Sequence, residues 1–233
     1  MAAFLTTELS TLDRTLTYAS ERQFEYAKVG SISIAQDISH VGGTVCMGRK
    51  RGFEPLLGQL GSLVRITLSG KALLEIGCGT ALPSIVAARL GARAVATDLR
   101  DVLPFTEAAI RRNCEINSEN IRWQALMWGA HGEGLMDLVN QRYDYIVGAD
   151  IVYNYSFFTE LFETLVELCR TSHEERSSTK VLVCFEQRRR DLTELWTKFE
   201  SYFHVSMVSS PMLDACRERA NVFLFELTWR VEA

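Results

Sequence analysis

From about residue 70 onward, short apolar runs alternate with longer amphipathic stretches. This alternation is typical of a parallel sheet covered by helices on both faces. Residues 180–185 are so uniformly apolar that we expect their strand to be central. The pattern predicts strands at 72–76, 94–97, 121–126, 143–150, 180–185, 203–208 and 222–229, and helices at 83–90, 102–117, 157–169 and 191–203, the last with Asp191 as its N-cap.

The first 69 residues follow a different pattern. Ile32 and Ile34 alternate with polar residues beside Gly30 and Ser31, which predicts a hairpin over 24–35 with its turn at Gly30-Ser31. A helix is expected over 53–64. A length of 233 residues suits one domain. We therefore expect a single domain over 1–233, with an N-terminal extension over 1–69 and a Rossmann-like α/β core over 70–233.

Composition excludes several classes of protein. The net charge of −4 argues against a general nucleic-acid binder, and no apolar run reaches the roughly 18 residues of a membrane span. Residues 1–14 include Glu8 and Asp13 and do not resemble a secretory signal, so we expect an intracellular protein. The six cysteines and four histidines are scattered, which predicts buried reduced thiols and no metal site.

A glycine motif follows the first core strand. The strand runs into Gly77-Cys78-Gly79 and then into a helix, which places backbone N–H groups at the strand end. Glu75 lies two residues before Gly77, and Asp98 closes the next strand 21 residues after Gly77. A carboxylate at that second strand end is positioned to accept both hydroxyls of a ribose. The motif therefore predicts a nucleoside-binding site.

Two residues discriminate between possible nucleosides. A dinucleotide site favours a third glycine, but Leu82 occupies that position, and Glu75 would repel a pyrophosphate. S-adenosylmethionine carries a sulfonium and an amino group and no phosphate, so the sequence favours it over NAD. For Glu75 a second interpretation stays open, in which it bonds loop amides and shapes the turn.

Several motifs together resemble the family-16 seven-β-strand methyltransferases, most of whose characterised members modify protein lysines. The resemblance covers roughly residues 25–230. It implies a seven-stranded, mostly parallel sheet with an antiparallel last strand. The motifs are Leu74-Glu75-Ile76-Gly77-Cys78-Gly79-Thr80, Thr97-Asp98-Leu99, Asn113 with Asn117, Trp128-Gly129, Gly148-Ala149-Asp150-Ile151-Val152-Tyr153 and Phe185-Glu186-Gln187-Arg188.

The resemblance also implies a set of cofactor-binding residues. Asp98 would hold the ribose, and Trp128 would lie by the adenine, although a core position is the alternative for Trp128. Ala149 and Asp150 would border the methionine end of the cofactor and the access route of the target amine. The predicted S-adenosylmethionine contacts are Glu75, Gly77, Cys78, Gly79, Asp98, Trp128 and Ala149.

Asp150 and Tyr153 are the predicted catalytic residues. A lysine amine has a solution pKa near 10.4 and must lose its proton before it attacks. We expect Asp150 to attract and orient the ammonium, Tyr153 to wall the aliphatic stem or face the cation, and water to take the proton. The alternative is a strand end with a capping acid and a packed aromatic residue.

Two positions depart from the family pattern. The family has a Val-Trp-Asp-Ala step after the hairpin, where this chain has Val45-Cys46-Met47-Gly48, and Asp before the Trp-Gly step, where it has Met127. We expect Cys46 or Met47 to form part of the cofactor pocket wall.

The expected function is therefore S-adenosylmethionine-dependent N-methylation of a protein side chain, with lysine as the acceptor. The alternatives are a nucleic-acid amino-methyltransferase, disfavoured because both prolines of Asp-Pro-Pro-Tyr are absent, and a non-catalytic module that binds the cofactor or a partner. We expect a cytoplasmic and nuclear monomer with a protein substrate and no membrane or nucleic-acid partner. Loops at 131–138, 170–178 and 209–220 are expected to select the substrate.

Overall fold

The computed structural model describes residues 21–26, 30–35, 68–114, 119–152, 154–173, 179–187 and 192–230. Among these residues, two short strands form a hairpin and seven further strands form one sheet. The strands are β1 (Glu21–Tyr26), β2 (Gly30–Ala35), β3 (Ala72–Ile76), β4 (Arg93–Asp98), β5 (Ile121–Ala125), β6 (Tyr145–Ala149), β7 (Lys180–Glu186), β8 (Phe203–Met207) and β9 (Val222–Trp229). Their order in the sheet is β5-β4-β3-β6-β7-β9-β8.

The sheet is parallel from β5 to β7, and β9 runs antiparallel to both β7 and β8. This arrangement confirms the predicted seven-stranded, mostly parallel sheet with an antiparallel last strand. The prediction that 180–185 is central is confirmed, because β7 lies between β6 and β9. From β3 the chain proceeds outward through β4 and β5 and then returns to the other side of β3 as β6. The ends of β3 and β6 therefore flank the switch point at which open α/β sheets bind ligands.

Helices cover both faces of the sheet, because apolar side chains point to both faces along β3. Leu73 faces one buried apolar cluster, while Leu74 and Ile76 face the other. The helices are α1 (Leu82–Arg89), α2 (Leu103–Asn113), α3 (Leu135–Val139), α4 (Phe158–His173), α5 (Thr193–Glu200) and α6 (Pro211–Ala220). The first cluster includes residues of α1, α2, α6 and the hairpin, and the second includes residues of α3, α4 and α5.

The predicted hairpin is confirmed, with its turn in a different place. Gly30 pairs with Tyr26 and already belongs to β2, so the turn is not at Gly30-Ser31. The hairpin is held to the domain by apolar burial, since Ile32 and Ile34 are fully buried in the first cluster. Each such side chain contributes about 1.5–3 kcal/mol.

Helix boundaries are where the sequence predictions fail. The helix expected over 102–117 ends at Asn113, because Cys114 is extended. The helix expected from Asp191 begins at Thr193 with Leu192 at the N-cap, and Asp191 itself lies outside the described residues, as does the helix expected over 53–64. Two helices were missed in segments expected to be loops. They are α3 and α6, and α6 begins at a Ser210 side chain that accepts a bond from the Leu213 N–H at 3.2 Å.

Three further observations bear on the predictions from composition. Among the cysteines that the structure describes, Cys114 is partly exposed and the other four are buried thiols. The described part of the chain contains no helix with the length and apolarity to cross a membrane, and no group of three His, Cys, Asp or Glu side chains arranged to hold a metal ion.

Candidate active site

The loop after β3 approaches its neighbours closely. Gly77 has φ +62°, and a Cβ added there would lie 2.9 Å from Ile151 Cγ2 and 3.2 Å from Trp128 Cζ2. Glycine is required here both for the left-handed backbone and for the space. The loop thus brings together residues that follow β3, β5 and β6, as the sequence predicted for Gly77 and Trp128.

Backbone hydrogen bonds fix the next residues of this loop. The Cys78 N–H donates to the Thr97 carbonyl at 2.9 Å, and the Ala81 N–H donates to the Cys78 carbonyl at 2.9 Å. The Gly79 N–H donates to Asp98 Oδ2 at 2.7 Å. Consecutive peptides of the loop are therefore anchored to the end of β4 and to the start of α1.

Asp98 lies at the end of β4, where the sequence placed it. Its second carboxylate oxygen accepts the Leu99 N–H at 2.8 Å, and the side chain is partly exposed. These two backbone donors fix the orientation of the carboxylate. Asp98 thus orients the glycine loop and presents a carboxylate at the edge of the sheet.

Glu75 is fully buried and points to the start of α1. Its Oε2 accepts the Ser84 N–H at 2.9 Å and the Ser84 hydroxyl at 2.5 Å. A carboxylate at a helix N-terminus is stabilised by the helix dipole. The structure therefore shows the role that the sequence left as an alternative, in which Glu75 shapes the turn; its contact with a cofactor stays a prediction.

The Cys78 side chain is buried against the first turn of α2. Its Sγ lies 3.6 Å from Thr106 Oγ1. The contact between Cys78 and a cofactor stays a prediction.

Trp128 was predicted either to contact the adenine or to be a core residue, and its position has features of both. Its indole is half-buried against the cluster that contains α4, and it contacts the Gly77 position. The next residue, Gly129, has φ +119°, and its N–H donates to Thr164 Oγ1 at 2.8 Å. This bond fastens the Trp128 segment to α4, and the predicted adenine contact stays a prediction.

The end of β6 holds Ala149 and Asp150, both buried. Asp150 has φ +56°, a left-handed conformation that is uncommon for a residue other than glycine, and its N–H donates to the Cys184 carbonyl at 2.7 Å. Strained backbone of this kind clusters at functional sites. Tyr153, the second predicted catalytic residue, lies outside the described residues, as do Cys46 and Met47.

Met127 and Leu99 give this edge an apolar surface. Their side chains are 51% and 52% exposed. They follow β5 and β4, whose ends are adjacent because Asp98 pairs with Ala125. Met127 is therefore an exposed apolar residue just beyond the carboxyl end of β5.

Sequence reasoning missed three residues of this site, each a buried hydroxyl. Ser84 bonds Glu75, Thr164 holds Gly129, and Thr106 donates to the Gly79 carbonyl at 2.5 Å. Ser84 had a detectable signal, since it lies three residues into the helix that the glycine motif opens. Thr106 and Thr164 interact across more than 25 residues of sequence, and no local pattern identifies them.

The resolved pKa shifts of buried groups do not mark this edge. Burial raises the pKa of Tyr143 to about 12 and that of Cys169 to about 12. Tyr143 precedes β6 and so lies near the amino end of the sheet, opposite the glycine loop. The site is recognised by its backbone donors and carboxylates.

Comparison with known proteins agrees with this geometry. A model of the lysine methyltransferase family matches residues 53–202. The protein-lysine methyltransferase METTL21E of Mus musculus is 33% identical over 141 residues, which cover 60% of this chain and 55% of that protein. Protein N-lysine methyltransferase METTL21A of Danio rerio is 36% identical over 141 residues, which cover 58% of this chain and 60% of that protein. The matched regions thus span less than two thirds of these relatives.

A solved structure shares the fold. The SAM-dependent methyltransferase from Agrobacterium tumefaciens superposes with a TM-score of 0.56 at 14% identity, over 92% of this chain and 71% of that one. The family model spans more than half of the chain and includes the glycine loop, Asp98, Trp128 and Asp150. The chain therefore belongs to the lysine methyltransferase family.

Proposed function

We propose that this protein transfers a methyl group from S-adenosylmethionine to a side-chain nitrogen of another protein, and that this nitrogen belongs to a lysine. Membership of the lysine methyltransferase family supports the reaction, and the names of the similar proteins support the acceptor. The observation that carries the choice of cofactor is the contact between Glu75 and the N-terminus of α1.

This contact distinguishes S-adenosylmethionine from a dinucleotide. A pyrophosphate binds a helix N-terminus through the backbone N–H groups of the first turn. In α1, Pro83 has no N–H, and the N–H of Ser84 donates to Glu75. The buried carboxylate also places negative charge where the phosphates would lie, and the two would repel each other. A cofactor without phosphate fits these residues, and a dinucleotide does not.

The neighbouring strand ends fit the nucleoside part. Asp98 offers a carboxylate to the ribose hydroxyls, and its orientation is fixed by Gly79 and Leu99. The exposed side chains of Leu99 and Met127 offer apolar surface to a purine. Because Gly77 has no side chain, Trp128 packs directly against the backbone of the loop.

When bound, S-adenosylmethionine supplies a methyl group on a positively charged sulfur. The chain's own task is then to orient the target amine and exclude water. Asp150 is buried at the end of β6, on the opposite side of β3 from Asp98. We propose that its carboxylate attracts and orients the ammonium of the target lysine. A carboxylate would hold that proton rather than remove it, so the proton leaves to water. We propose that Tyr153 packs against the aliphatic part of the lysine side chain.

Calorimetric titration tests the cofactor. We expect saturable binding of S-adenosylmethionine, no binding of NAD, and at least about tenfold weaker S-adenosylmethionine binding for Asp98→Ala, which loses both the ribose acceptor and the Gly79 anchor. Asp137→Ala removes an exposed carboxylate from α3 and is the matched control. NAD binding, or equal affinity in Asp98→Ala, would contradict the proposal.

The acceptor needs a second measurement. Labelled S-adenosylmethionine is incubated with the protein and a cell lysate, and the labelled proteins are hydrolysed to amino acids. Label in methylated lysine supports the proposed acceptor, while label confined to methylarginine or to nucleic acid contradicts it.

A further inference from the structure

Thr106 occupies an unusual position in the first turn of α2. It lies among the apolar positions by which α2 packs on the sheet, yet it is polar and fully buried. A buried hydroxyl is costly unless it forms a hydrogen bond. Its hydroxyl donates to the Gly79 carbonyl at 2.5 Å, across 27 residues of sequence.

This bond completes the fixation of Gly79 from both sides. The Gly79 N–H donates to Asp98 Oδ2 at 2.7 Å, while its carbonyl accepts from Thr106. Gly79 has φ +55°, a conformation from which a glycine otherwise moves easily because it has the widest choice of backbone states. Asp98 holds one peptide plane of the residue and Thr106 holds the other.

The second of these planes matters for ligand binding. A trans peptide is planar, so the Gly79 carbonyl and the Thr80 N–H point in opposite directions. By holding the carbonyl towards α2, Thr106 directs the Thr80 N–H away from α2. Without the bond, this peptide could rotate, and the directions of the loop donors would no longer be defined.

We infer that Thr106 is a positioning residue, which holds the Gly79–Thr80 peptide in the conformation that binds S-adenosylmethionine. The inference rests on the proposed function of the glycine loop. Thr106 acts through the Gly79 carbonyl and needs no contact with the cofactor. Its loss lowers the fraction of molecules with a binding-competent loop, and the apparent affinity falls by the same factor.

The chain offers a matched control for this inference. Thr179 is also a buried threonine, and its hydroxyl donates to the Tyr143 carbonyl at 2.7 Å, across 36 residues of sequence. Thr179 precedes β7 and lies at the amino end of the sheet, away from the glycine loop. Thr106→Val and Thr179→Val therefore remove the same kind of bond, and only the first lies beside the proposed site.

The experiment measures the Kd of S-adenosylhomocysteine by calorimetry, together with thermal unfolding without ligand. We expect Thr106→Val to raise this Kd about fivefold, the effect of one neutral hydrogen bond on loop preorganisation. Thr106→Ser keeps the hydroxyl and should stay within about twofold of the wild type, as should Thr179→Val. Both valine variants should unfold at a lower temperature than the wild type.

Three outcomes would overturn the inference. Thr106→Val could bind as tightly as the wild type, Thr179→Val could lose as much affinity as Thr106→Val, or Thr106→Ser could fail to restore binding. If the wild type itself binds no S-adenosylhomocysteine, the proposed function fails and the inference fails with it. Should Thr106→Val not fold, Thr106→Ala and Thr179→Ala provide the same comparison.

Discussion

At the scale of single residues, both the fold and the proposed ligand binding require a glycine at position 77. Its backbone is left-handed, and a Cβ added there would lie only 2.9 Å from Ile151 Cγ2, so both conditions exclude a side chain. We expect Gly77→Ala to weaken S-adenosylhomocysteine binding about tenfold, because an added Cβ pushes Ile151 and the Trp128 indole out of place. Calorimetry measures this change.

Substitution of Gly70 separates the effect of backbone strain from the effect of the crowded contact. It has a similar φ of +75°, but nothing lies within 4 Å of the Cβ that would be added. Gly70→Ala therefore carries only the backbone strain, about 1 kcal/mol, which chemical denaturation measures. Equal loss of ligand binding in the two variants would show that general destabilisation, rather than the crowded contact of Gly77, is responsible.

The residues of the site differ in how far the sequence could predict them. Asp98 and Gly79 were each predicted to contact the cofactor, and the structure brings the two residues into contact with each other. The direction of a side chain was not predictable, as Cys78 shows: its thiol turns into the core towards α2. The apolar pattern predicts where a strand ends and a loop begins. It does not predict whether a loop side chain such as that of Cys78 is buried in the core or faces a ligand.

At the scale of elements, the hairpin is attached to α2 by one side chain. Asn113 Nδ2 donates to the Ser33 carbonyl at 2.6 Å, and Asn113 Oδ1 accepts the Ser33 N–H at 2.7 Å. Asn113 thus pairs with β2 as a neighbouring strand would. Arg89 reinforces the contact, since its guanidinium donates to the carbonyls of Ser31 and Asn113.

We expect Asn113→Ala to loosen the hairpin without unfolding the sheet. The two backbone groups of Ser33 lose their bonds to Asn113, so the Ser33 amide should exchange with solvent about tenfold faster, while the Leu74 amide in β3 is unchanged. Hydrogen exchange measured by NMR resolves the two. Asn140→Ala, at an exposed helix end, is the control. A uniform increase across the sheet would contradict this local role of Asn113.

The elements themselves were predictable to different degrees. The strands β3 and β9 have the bounds that the apolar runs predict, although β3 is a buried parallel strand and β9 is a half-buried antiparallel one. α6 was missed because four of its ten residues are charged, and the segment at Ser210-Pro211 was taken for a loop. That pair is also a helix start, because Ser210 can cap and Pro211 needs no N–H partner. Tertiary packing of Leu213 and Cys216 decides between the two.

At the scale of the whole molecule, the sheet has two edges with different tasks. The carboxyl ends of its strands hold the glycine loop, Asp98 and Asp150. The amino ends hold interactions that join strands and contribute to stability, among them the Thr179 bond to Tyr143 and an ion pair between Lys71 and Asp144. This separation allows stability to be altered at one edge while ligand binding at the other is preserved.

Asp144 makes this separation measurable through pH. Burial alone would raise its pKa, but the Lys71 ammonium at 2.7 Å and the Ala72 N–H at 2.8 Å hold the pKa of this carboxyl below its ordinary value. A lowered folded pKa means that the ionised carboxylate stabilises the fold above the unfolded pKa, near 4, and that this stability is lost as pH falls through the folded pKa. Asp144→Asn should therefore lower the free energy of unfolding by up to about 1 kcal/mol at pH 7, a small value because the pair is partly exposed, and by progressively less below pH 4.

Denaturant titrations of the wild type and Asp144→Asn between pH 7 and pH 3 measure this difference. In a Lys71→Met background, Asp144→Asn should lower the free energy of unfolding by less, because no ion pair is then left for it to remove. Binding of S-adenosylhomocysteine at pH 7 should be equal in wild type and Asp144→Asn, because the substitution lies at the amino edge. A difference that persists undiminished at pH 3 would assign the loss of stability to packing rather than to charge, and a change in ligand affinity would show that the two edges are coupled.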